Sequence, residues 1–358
     1  MQPQRRCRAA ALAGAVLALV ACGPQQVPVM ELDRGTEPGA QAPVWPPGPN
    51  VPRYVYAGQL TGAANFRGDE DSRGGAARVF AWIVGLGQEQ TEPVVLRRPQ
   101  SGVSDERGRV YVTDVGRQAV FVFDEPEGKL QVWDLANGGQ RFVAPIGVVI
   151  GAGDEVLVAD AELGAVFRLD RDGNPLGSFG ADVLERPTGL ARDAKAGRVY
   201  VADTRANDVK IFDDAGLLVD YLGRGGTDRG ELNAPTYIAF REGRLYVTDT
   251  LNSRVQVFDS DGRVLEVFGE RGLYVGNLAR PKGVAVDDEG NVYVVESFYD
   301  HLLVFDRSGR FLLPVGGTGH APGEFYLPAG VWIDSRNRVY VADMFNGRVA
   351  IFQFLGGD

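Results

Sequence analysis

The stretch PTYIAFREGRLYVTDTLNSRVQVFDSD, which runs from Pro235 to Asp261, decides the fold of this chain. It holds three short runs rich in Val, Tyr and Phe, separated by a turn at Glu242-Gly243 and by a polar loop after Asp249. Period-2 runs bounded by Gly and Asp predict antiparallel strands. The next residues, Arg263–Gly269, predict a fourth strand. A small four-stranded sheet with two apolar faces needs a neighbour on each side.

The same pattern occurs six times along the chain. Each copy starts at a proline, and a glycine follows closely in all copies except the fourth, which has Tyr237. The second strand of every copy ends on an acid, and the third strand resumes on an apolar residue six positions later. The prolines are Pro99, Pro145, Pro187, Pro235, Pro281 and Pro328. The acids are Asp114, Asp160, Asp203, Asp249, Glu296 and Asp343. The period of 42 to 48 residues predicts a propeller.

The repeat resembles the NHL repeat family, most closely in GRVYVADTRANDVKIFD (residues 197–213) and NRVYVADMFNGRVAIF (residues 337–352). The resemblance covers Pro99 to Phe352. It implies an all-β, six-bladed propeller of four-stranded antiparallel blades. WD repeats fit less well, because the Trp133-Asp134 pair does not recur. Copies two and five depart from the NHL pattern, since copy two lacks the loop Asn and Arg and copy five has Glu296 as its acid.

The last copy ends at Phe354-Leu355 without a fourth strand. Because Arg53–Gly58 looks like such a strand, we predict that it pairs with the last blade and closes the ring, which removes two open edges. Residues 59–97 then form an insertion before the first full repeat, in which Ala76–Leu86 predicts a short helix or an extra strand. The alternative is a seventh, degenerate blade over residues 49–97, although these residues lack the acid and its six-residue register.

The N-terminus has the pattern of a bacterial lipoprotein. Three arginines precede an apolar run, Ala9–Val20, that is too short to span a bilayer and predicts a signal peptide over residues 1–21. The run ends in Leu-Val-Ala-Cys, which resembles the lipobox and implies cleavage before Cys22 and its lipidation with acyl chains such as palmitate. Gly23 at the next position favours the outer membrane by the sorting rule of Gram-negative lipoproteins. An ordinary signal peptide with an incidental Cys is the alternative.

Composition constrains the rest of the chain. Residues 22–52 carry eight prolines after Cys22 and no hydrophobic period, which predicts a semi-extended tether that holds the propeller, residues 53–358, off the membrane. The net charge of −10 argues against a nucleic-acid partner, which would need a basic face. The mature chain would keep one Cys, already modified, so it has no disulfide.

Two sets of loops share one face of such a propeller, called the top face here: the loops after the acids and the Gly-rich linkers between blades. Recognition usually lies in loops that vary on a repeated scaffold, and aromatic residues with Arg are enriched at binding hot spots. The predicted binding surface consists of Arg205, Arg254, Phe298, Tyr299, His301, Phe345 and Arg348, flanked by Tyr274, Phe325 and Tyr326. The alternative is that these rings pack between blades as additional core.

Other site chemistries have weaker support. We expect each acid to cap its own turn by accepting backbone N–H bonds, rather than to form a metal site. The residues after the blade prolines should line the channel mouth without a carboxylate: Gln100, Ile146, Thr188, Thr236, Lys282 and Ala329. His301 and His320 are the only histidines, so a zinc site of three His cannot be built. We therefore predict no catalytic and no metal-binding residue.

The sequence favours a membrane-anchored binding or scaffold module for a protein, peptide or envelope-polymer partner over an enzyme. The alternative is a metal-dependent hydrolase or lactonase of the gluconolactonase-like propeller type. That function would require a divalent cation such as Ca²⁺, held by acids and amides that converge at the channel. A purely structural envelope protein is a third, weaker interpretation.

Overall fold

The computed structural model describes residues 29–36, 39–67 and 94–356. Six antiparallel sheets form a closed ring, because the innermost strand of each blade contacts the innermost strand of the next and blade 6 returns to blade 1. The predicted all-β, six-bladed propeller is confirmed. Within the described ranges, helix is limited to three single turns: Ala63–Asn65, Ala152–Asp154 and Thr250–Asn252.

Blades 1 to 5 each contain four strands in sequence order, from the channel outward. Blade 1 comprises Pro99–Ser104, Arg109–Asp114, Ala119–Asp124 and Lys129–Trp133. Blade 2 comprises Pro145–Ile150, Val156–Asp160, Ala165–Leu169 and Pro175–Phe179. Blade 3 comprises Pro187–Asp193, Arg198–Asp203, Asp208–Asp213 and Leu218–Leu222. Blade 4 comprises Pro235–Arg241, Arg244–Asp249, Arg254–Asp259 and Val264–Phe268. Blade 5 comprises Pro281–Val286, Val292–Glu296, His301–Phe305 and Phe311–Gly316.

Blade 6 is completed from the other end of the chain. Its own strands are Pro328–Ile333, Arg338–Asp343 and Arg348–Phe354. The strand Tyr54–Leu60 pairs antiparallel with the last of these, and the short strand Val44–Trp45 lies outside it. The predicted closing strand is therefore confirmed, although it runs two residues beyond Gly58. Its side chains Tyr54, Tyr56 and Leu60 are buried because they pack into the sheet interfaces that the last repeat alone would leave open.

Part of the segment predicted as a semi-extended tether, residues 22–52, is attached to the propeller, which corrects that expectation. Val29–Met30 pairs with Phe66–Arg67, and Asp33 forms a bridge with Gln59 of the closing strand. Trp45 packs edge-on against Phe352 at a ring distance of 5.4 Å. This segment stays attached because its apolar side chains pack on the outer side of blade 6 and its backbone pairs with the closing strand.

Several predictions fall outside the described residues: the signal peptide, Cys22 and the element at Ala76–Leu86.

Short strands at Leu135–Asn137 and Gln140–Arg141 form a hairpin after blade 1. Across the described ranges, no helix has the length and apolar character needed to cross a membrane.

The repeated glycine near the start of each innermost strand has a packing reason. A Cβ at Gly283 would lie 2.6 Å from the backbone nitrogen of Val331 on the next blade. A Cβ at Gly189 would lie 2.8 Å from the backbone of blade 4, at Ile238. Such approaches exclude any side chain, so glycine allows the innermost strands to pack closely around the axis.

Candidate functional site

The two predicted loop sets do share the top face. In blade 4 the side-chain amide of Asn252 donates a 2.9 Å hydrogen bond to the carbonyl of Gly226 in the preceding linker. In blade 6 Asn346 makes the same 2.9 Å contact with Gly319. In these two blades the loop after the acid is thus joined to the linker that enters the same blade.

The acids hold these loop pairs together. Asp114 is fully buried and accepts hydrogen bonds from the backbone N–H groups of Arg97 at 2.6 Å and Arg98 at 3.0 Å in the linker. It also accepts one from Arg117 at 2.9 Å in its own turn. Asp160, Asp203 and Glu296 repeat this pattern of linker and turn contacts. The prediction that the acids are caps is confirmed for these copies.

Copies four and six replace the backbone contact in the turn by side chains. Asp249 receives a linker N–H from Asn233 at 2.6 Å and side-chain donors from Asn252 and Arg254. Asp343 receives the equivalent set from Tyr326, Asn346 and Arg348. Burial raises the pKa of the Asp343 carboxyl, and these donors oppose that shift. Among the described residues, no group of three or more His, Cys, Asp or Glu side chains could hold a metal ion.

Two of the predicted binding arginines support loops instead of facing solvent. Besides its bond to Asp249, Arg254 donates to the backbone carbonyls of Thr227, Asp228 and Glu231 in the linker. Five donors on a planar guanidinium suit this arrangement of several carbonyl acceptors. The sequence indicated an Arg near the top face but could not show that carbonyls already occupy its donors.

Arg348 has the same function in blade 6. Its guanidinium donates to the carbonyls of His320, Ala321 and Glu324 and to the side-chain oxygen of Gln59 on the closing strand. By contrast Arg205, the third predicted arginine, is exposed on the loop of blade 3.

The aromatic part of the prediction lies at the surface in blades 5 and 6. Phe298 is 60% exposed, and the ring of Tyr299 lies perpendicular to it at 4.9 Å. Phe345 is 47% exposed, packs on Tyr326 at 5.6 Å, and lies under the guanidinium of Arg98. The two groups are on equivalent loops of adjacent blades, as predicted.

A third exposed apolar loop lies in the linker from blade 4 to blade 5. Leu273 and Tyr274 are 86% and 84% exposed, and Val275 follows them. We define the aromatic sector as Leu273, Tyr274, Val275, Phe298, Tyr326 and Phe345. The linker residue Phe325 is different, because it is fully buried against Phe352; for that ring the core interpretation was right.

The two histidines have separate partners. His301 contacts the carbonyl of Tyr299 through Nδ1, and both residues line a small cavity of about 90 Å³ beneath Tyr274. His320 contacts the side chain of Asn346 and packs against Tyr326. Each imidazole is thus part of the packing of its own loop pair.

Three of the six predicted channel-mouth residues, Thr188, Thr236 and Gln100, make polar contacts. The hydroxyl of Thr188 donates to the carbonyl of Thr236 at 2.8 Å, and the hydroxyls of Thr236 and Thr250 are 2.7 Å apart. Gln100 contacts the sulfur of Met344. Hydroxyl groups therefore line the channel mouth on the side of blades 3 and 4. Lys282 lies next to them at the start of blade 5.

Tyr237 crosses the channel below the mouth. Its ring is buried, and its hydroxyl donates a 3.0 Å hydrogen bond to the carbonyl of Gln100 on the opposite blade. Beneath it, the innermost strands enclose a cavity of about 240 Å³ that Trp332 also lines. The sequence carried a signal for this residue, since it alone replaces a repeated glycine. That signal did not tell where the ring would point.

Comparisons with known proteins agree with the fold. A family described as a 6-bladed beta-propeller matches residues 277–358, which include blade 5 and the C-terminal strands of blade 6. No functionally curated protein matches the sequence of this chain.

Solved structures of similar fold have diverse functions. A virginiamycin B lyase from Staphylococcus aureus is 13% identical, with a TM-score of 0.55, over 72% of this chain and 95% of that chain. An auxiliary nutrient binding protein from Bacteroides ovatus is 13% identical, with a TM-score of 0.57, over 73% and 70%. A gluconolactonase from Xanthomonas campestris is 18% identical, with a TM-score of 0.54, over 72% and 86%. At these identities the likeness shows the fold alone.

Proposed function

We propose that this chain is a surface-tethered, NHL-like propeller that binds a protein, peptide or envelope-polymer partner through the aromatic sector of its top face. The observation that carries the proposal is the exposure of apolar side chains on neighbouring loops, from 42% at Tyr326 to 86% at Leu273. Large exposed apolar side chains grouped on neighbouring loops are typical of interaction sites. Its burial would stabilise a complex by about 25 cal/mol per Å² before the costs of association.

The asymmetry of the ring supports this choice of surface. Blade 3 has the polar sequence Thr204-Arg-Ala-Asn-Asp208 in the loop that corresponds to Phe298-Tyr299 and Met344-Phe345. Since the scaffold repeats six times, a loop position that becomes aromatic in adjacent copies is not required by the fold. The aromatic sector therefore distinguishes one side of the top face from the rest.

The arginines contribute in two ways. Arg98 covers the ring of Phe345 at 5.6 Å and adds a cation at the edge of the aromatic sector. Arg254 and Arg348 fix the linkers through backbone carbonyls, so that the loops are held before a partner arrives. Fixed loops lose less conformational entropy on binding.

We also propose that the domain is attached to the outer membrane through lipidated Cys22. Val29 is paired with Arg67, so at most residues 23–28 separate the attached segment from the proposed lipid site. Fully extended, six residues span about 20 Å. This supports an arrangement in which the propeller lies close to the membrane surface, closer than a tether of residues 22–52 would require.

The experiment is partner capture from envelope extracts, with wild type compared to the double variant Phe298→Ala/Phe345→Ala. The matched control is Leu176→Ala/Leu217→Ala, which removes side chains that are 58% and 66% exposed in blades 2 and 3. We expect the aromatic variant to fold normally and lose partners that the control retains. Retention of every partner by the aromatic variant would refute the binding role of the sector.

The lactonase alternative gains no specific support. The divalent cation of such a lactonase would require several oxygen ligands, most of them anionic. The channel mouth offers the hydroxyls of Thr188, Thr236 and Thr250 and the amide of Gln100. Those described residues do not fit the ligand set, and we do not propose this activity.

A further inference from the structure

The chain has only four lysines, and one of them lies beside the channel axis. Lys282 is the second residue of the innermost strand Pro281–Val286, at the position taken by Thr188 and Thr236 in blades 3 and 4. The hydroxyl of Thr188 bonds across to the carbonyl of Thr236 on the next blade, whereas the hydroxyl of Thr236 contacts that of Thr250 within blade 4. Lys282 is partly buried, and the same position in the other blades carries no charge.

Its ammonium group has no counter-ion within the part of the chain that the structure describes. Among the described residues, Lys282 makes no hydrogen bond or ion pair, whereas Lys129 pairs with Glu127 and Lys210 pairs with both Asp203 and Asp208. Burial lowers the pKa of Lys282, and the positive charge of Arg280 lowers it further. A partly desolvated cation whose charged neighbour is another cation is unfavourable unless an anion is supplied.

The surroundings favour a ligand that is anionic at one end and apolar beyond it. Hydroxyls of Thr236 and Thr250 lie on the blade 4 side, where the Thr250 hydroxyl bonds to the carbonyl of Pro281, the residue before Lys282. The blade 6 and blade 2 sides of the mouth present Met344 and Ile146, which pack on the same buried cluster. Tyr237 closes the channel below, so a group that enters from the top face stops at this level.

We propose that Lys282 binds a carboxylate group of the partner at the mouth of the channel. The inference rests on the proposed binding function of the top face and adds the chemical class of the group recognised there. A carboxylate fits better than a phosphate, because one compact ammonium matches a single negative charge and the flanking groups are hydroxyls and apolar side chains. The protein as a whole carries a net charge of −10, which does not favour an acidic partner. The positive charge of Lys282 would therefore determine where the acidic group binds.

The experiment exploits the scarcity of lysine. Reductive methylation with ¹³C-formaldehyde keeps the charge of each lysine and yields few NMR signals, of which the Lys282 signal is identified by its loss in Lys282→Met. The full mature chain is titrated with propionate at constant ionic strength, and inorganic phosphate is titrated in parallel. We expect propionate to shift the Lys282 signal saturably and to leave the signal of Lys195, on a turn at the opposite face, unchanged.

Equilibrium dialysis with radiolabelled propionate measures the affinity. We expect Lys282→Met to weaken binding at least about tenfold, since a hydrogen bond to a charged group is lost, and Lys195→Met to leave it unchanged. Equal shifts at both lysines, no saturable shift, or equal affinity of Lys282→Met and wild type would overturn the proposal. Saturable binding of phosphate without propionate would overturn the carboxylate assignment.

The two proposals fail in different ways. The variant Phe298→Ala/Phe345→Ala retains Lys282, so it should still bind propionate even where it no longer captures a partner. If Lys282→Met no longer binds propionate but still captures every partner that wild type captures, then the carboxylate is not a determinant of partner binding. Loss of capture in the aromatic variant alone, without any propionate site in wild type, refutes only the inference about Lys282.

Discussion

The hydroxyl of Tyr237 in blade 4 donates a 3.0 Å hydrogen bond to the backbone carbonyl of Gln100 in blade 1, on the opposite side of the ring. This contact joins residues that are 137 positions apart and closes the channel beneath its top mouth. Both groups are buried, so the bond satisfies polar atoms that water reaches poorly.

The first prediction follows from that contact. Tyr237→Phe keeps the ring in place but leaves the buried carbonyl of Gln100 without its donor, which should lower the free energy of unfolding by about 1–3 kcal/mol. Urea unfolding measures the change. The control is Tyr221→Phe, because the Tyr221 side chain is 53% exposed and its hydroxyl can bond to water. Equal stabilities of the two variants would show that the cross-channel bond has no energetic importance.

The second prediction concerns the guanidinium that joins the last blade to the closing strand. The Arg348 and Asp343 side chains are 7% and 0% exposed, and their Nε to Oδ2 distance is 2.8 Å. Arg348→Met removes the charged partner of the buried carboxylate, which keeps only the neutral donors of Tyr326 and Asn346, and also removes the guanidinium bonds to the linker carbonyls. We therefore expect a loss of about 3–5 kcal/mol in unfolding free energy. The same measurement on Arg205→Met, in which an exposed guanidinium is removed, should show little change. A small effect in Arg348→Met would contradict the supporting role.

The third prediction is a pH dependence on the bottom face. Arg192 donates two hydrogen bonds to Asp214, at 2.8 and 2.7 Å, and this contact lowers the pKa of the carboxyl below its ordinary value of 3.8. A group with a depressed folded pKa stabilises the fold above its unfolded pKa, and that contribution is lost as the pH falls through the folded pKa. We therefore expect the stability gap between wild type and Asp214→Asn to narrow as the pH falls below about 3.8.

The measurement is a set of urea unfolding curves from pH 6 to pH 3. In an Arg192→Met background the pair is absent, so introducing Asp214→Asn should give a gap that narrows much less. A wild-type gap that is constant over the whole range would show that the pair does not contribute through the ionised carboxyl.

The fourth prediction tests the proposed anchor. Cys22→Ser removes the thiol that lipidation requires, so we expect the protein to move from the membrane fraction to the soluble fraction of lysed cells. Cys7→Ser is the matched control, because Cys7 lies in the predicted signal peptide and its loss should leave the distribution unchanged. Full retention of Cys22→Ser in the membrane pellet would exclude a lipid anchor at this position.

The repeat pattern predicted most of the fold because it depends on local rules. Strand periodicity, the terminal acid and the proline and glycine of each copy define where strands begin and end. The closing strand was predictable as well, since a blade short of one strand implies a strand elsewhere. Val29–Met30 and Trp45 were not assigned to the domain, because a proline-rich segment has no periodic signal and their packing depends on distant residues such as Phe352.

The positions of the predicted surface residues agree with the structure only in part. Phe298 and Phe345 were assigned correctly to exposed, equivalent loops, because loop position follows from the repeat register. Arg254 and Arg348 were assigned to the same surface, but their donors are directed to backbone carbonyls of the linkers. The composition of a loop cannot show this, since the acceptors belong to residues that are more than twenty positions away in the chain.

The sequence by itself determined the six blades, the ring closure from the N-terminal side and the role of the repeated acids, because each depends on short-range order repeated in register. Only the tertiary structure decided that Tyr237 closes the channel, that Phe325 is core while Phe345 is surface, and that Lys282 has no partner among the described residues. Those outcomes depend on which side chains from different blades contact each other around the channel axis. The packing of all six blades together determines these contacts, and the sequence of one copy does not.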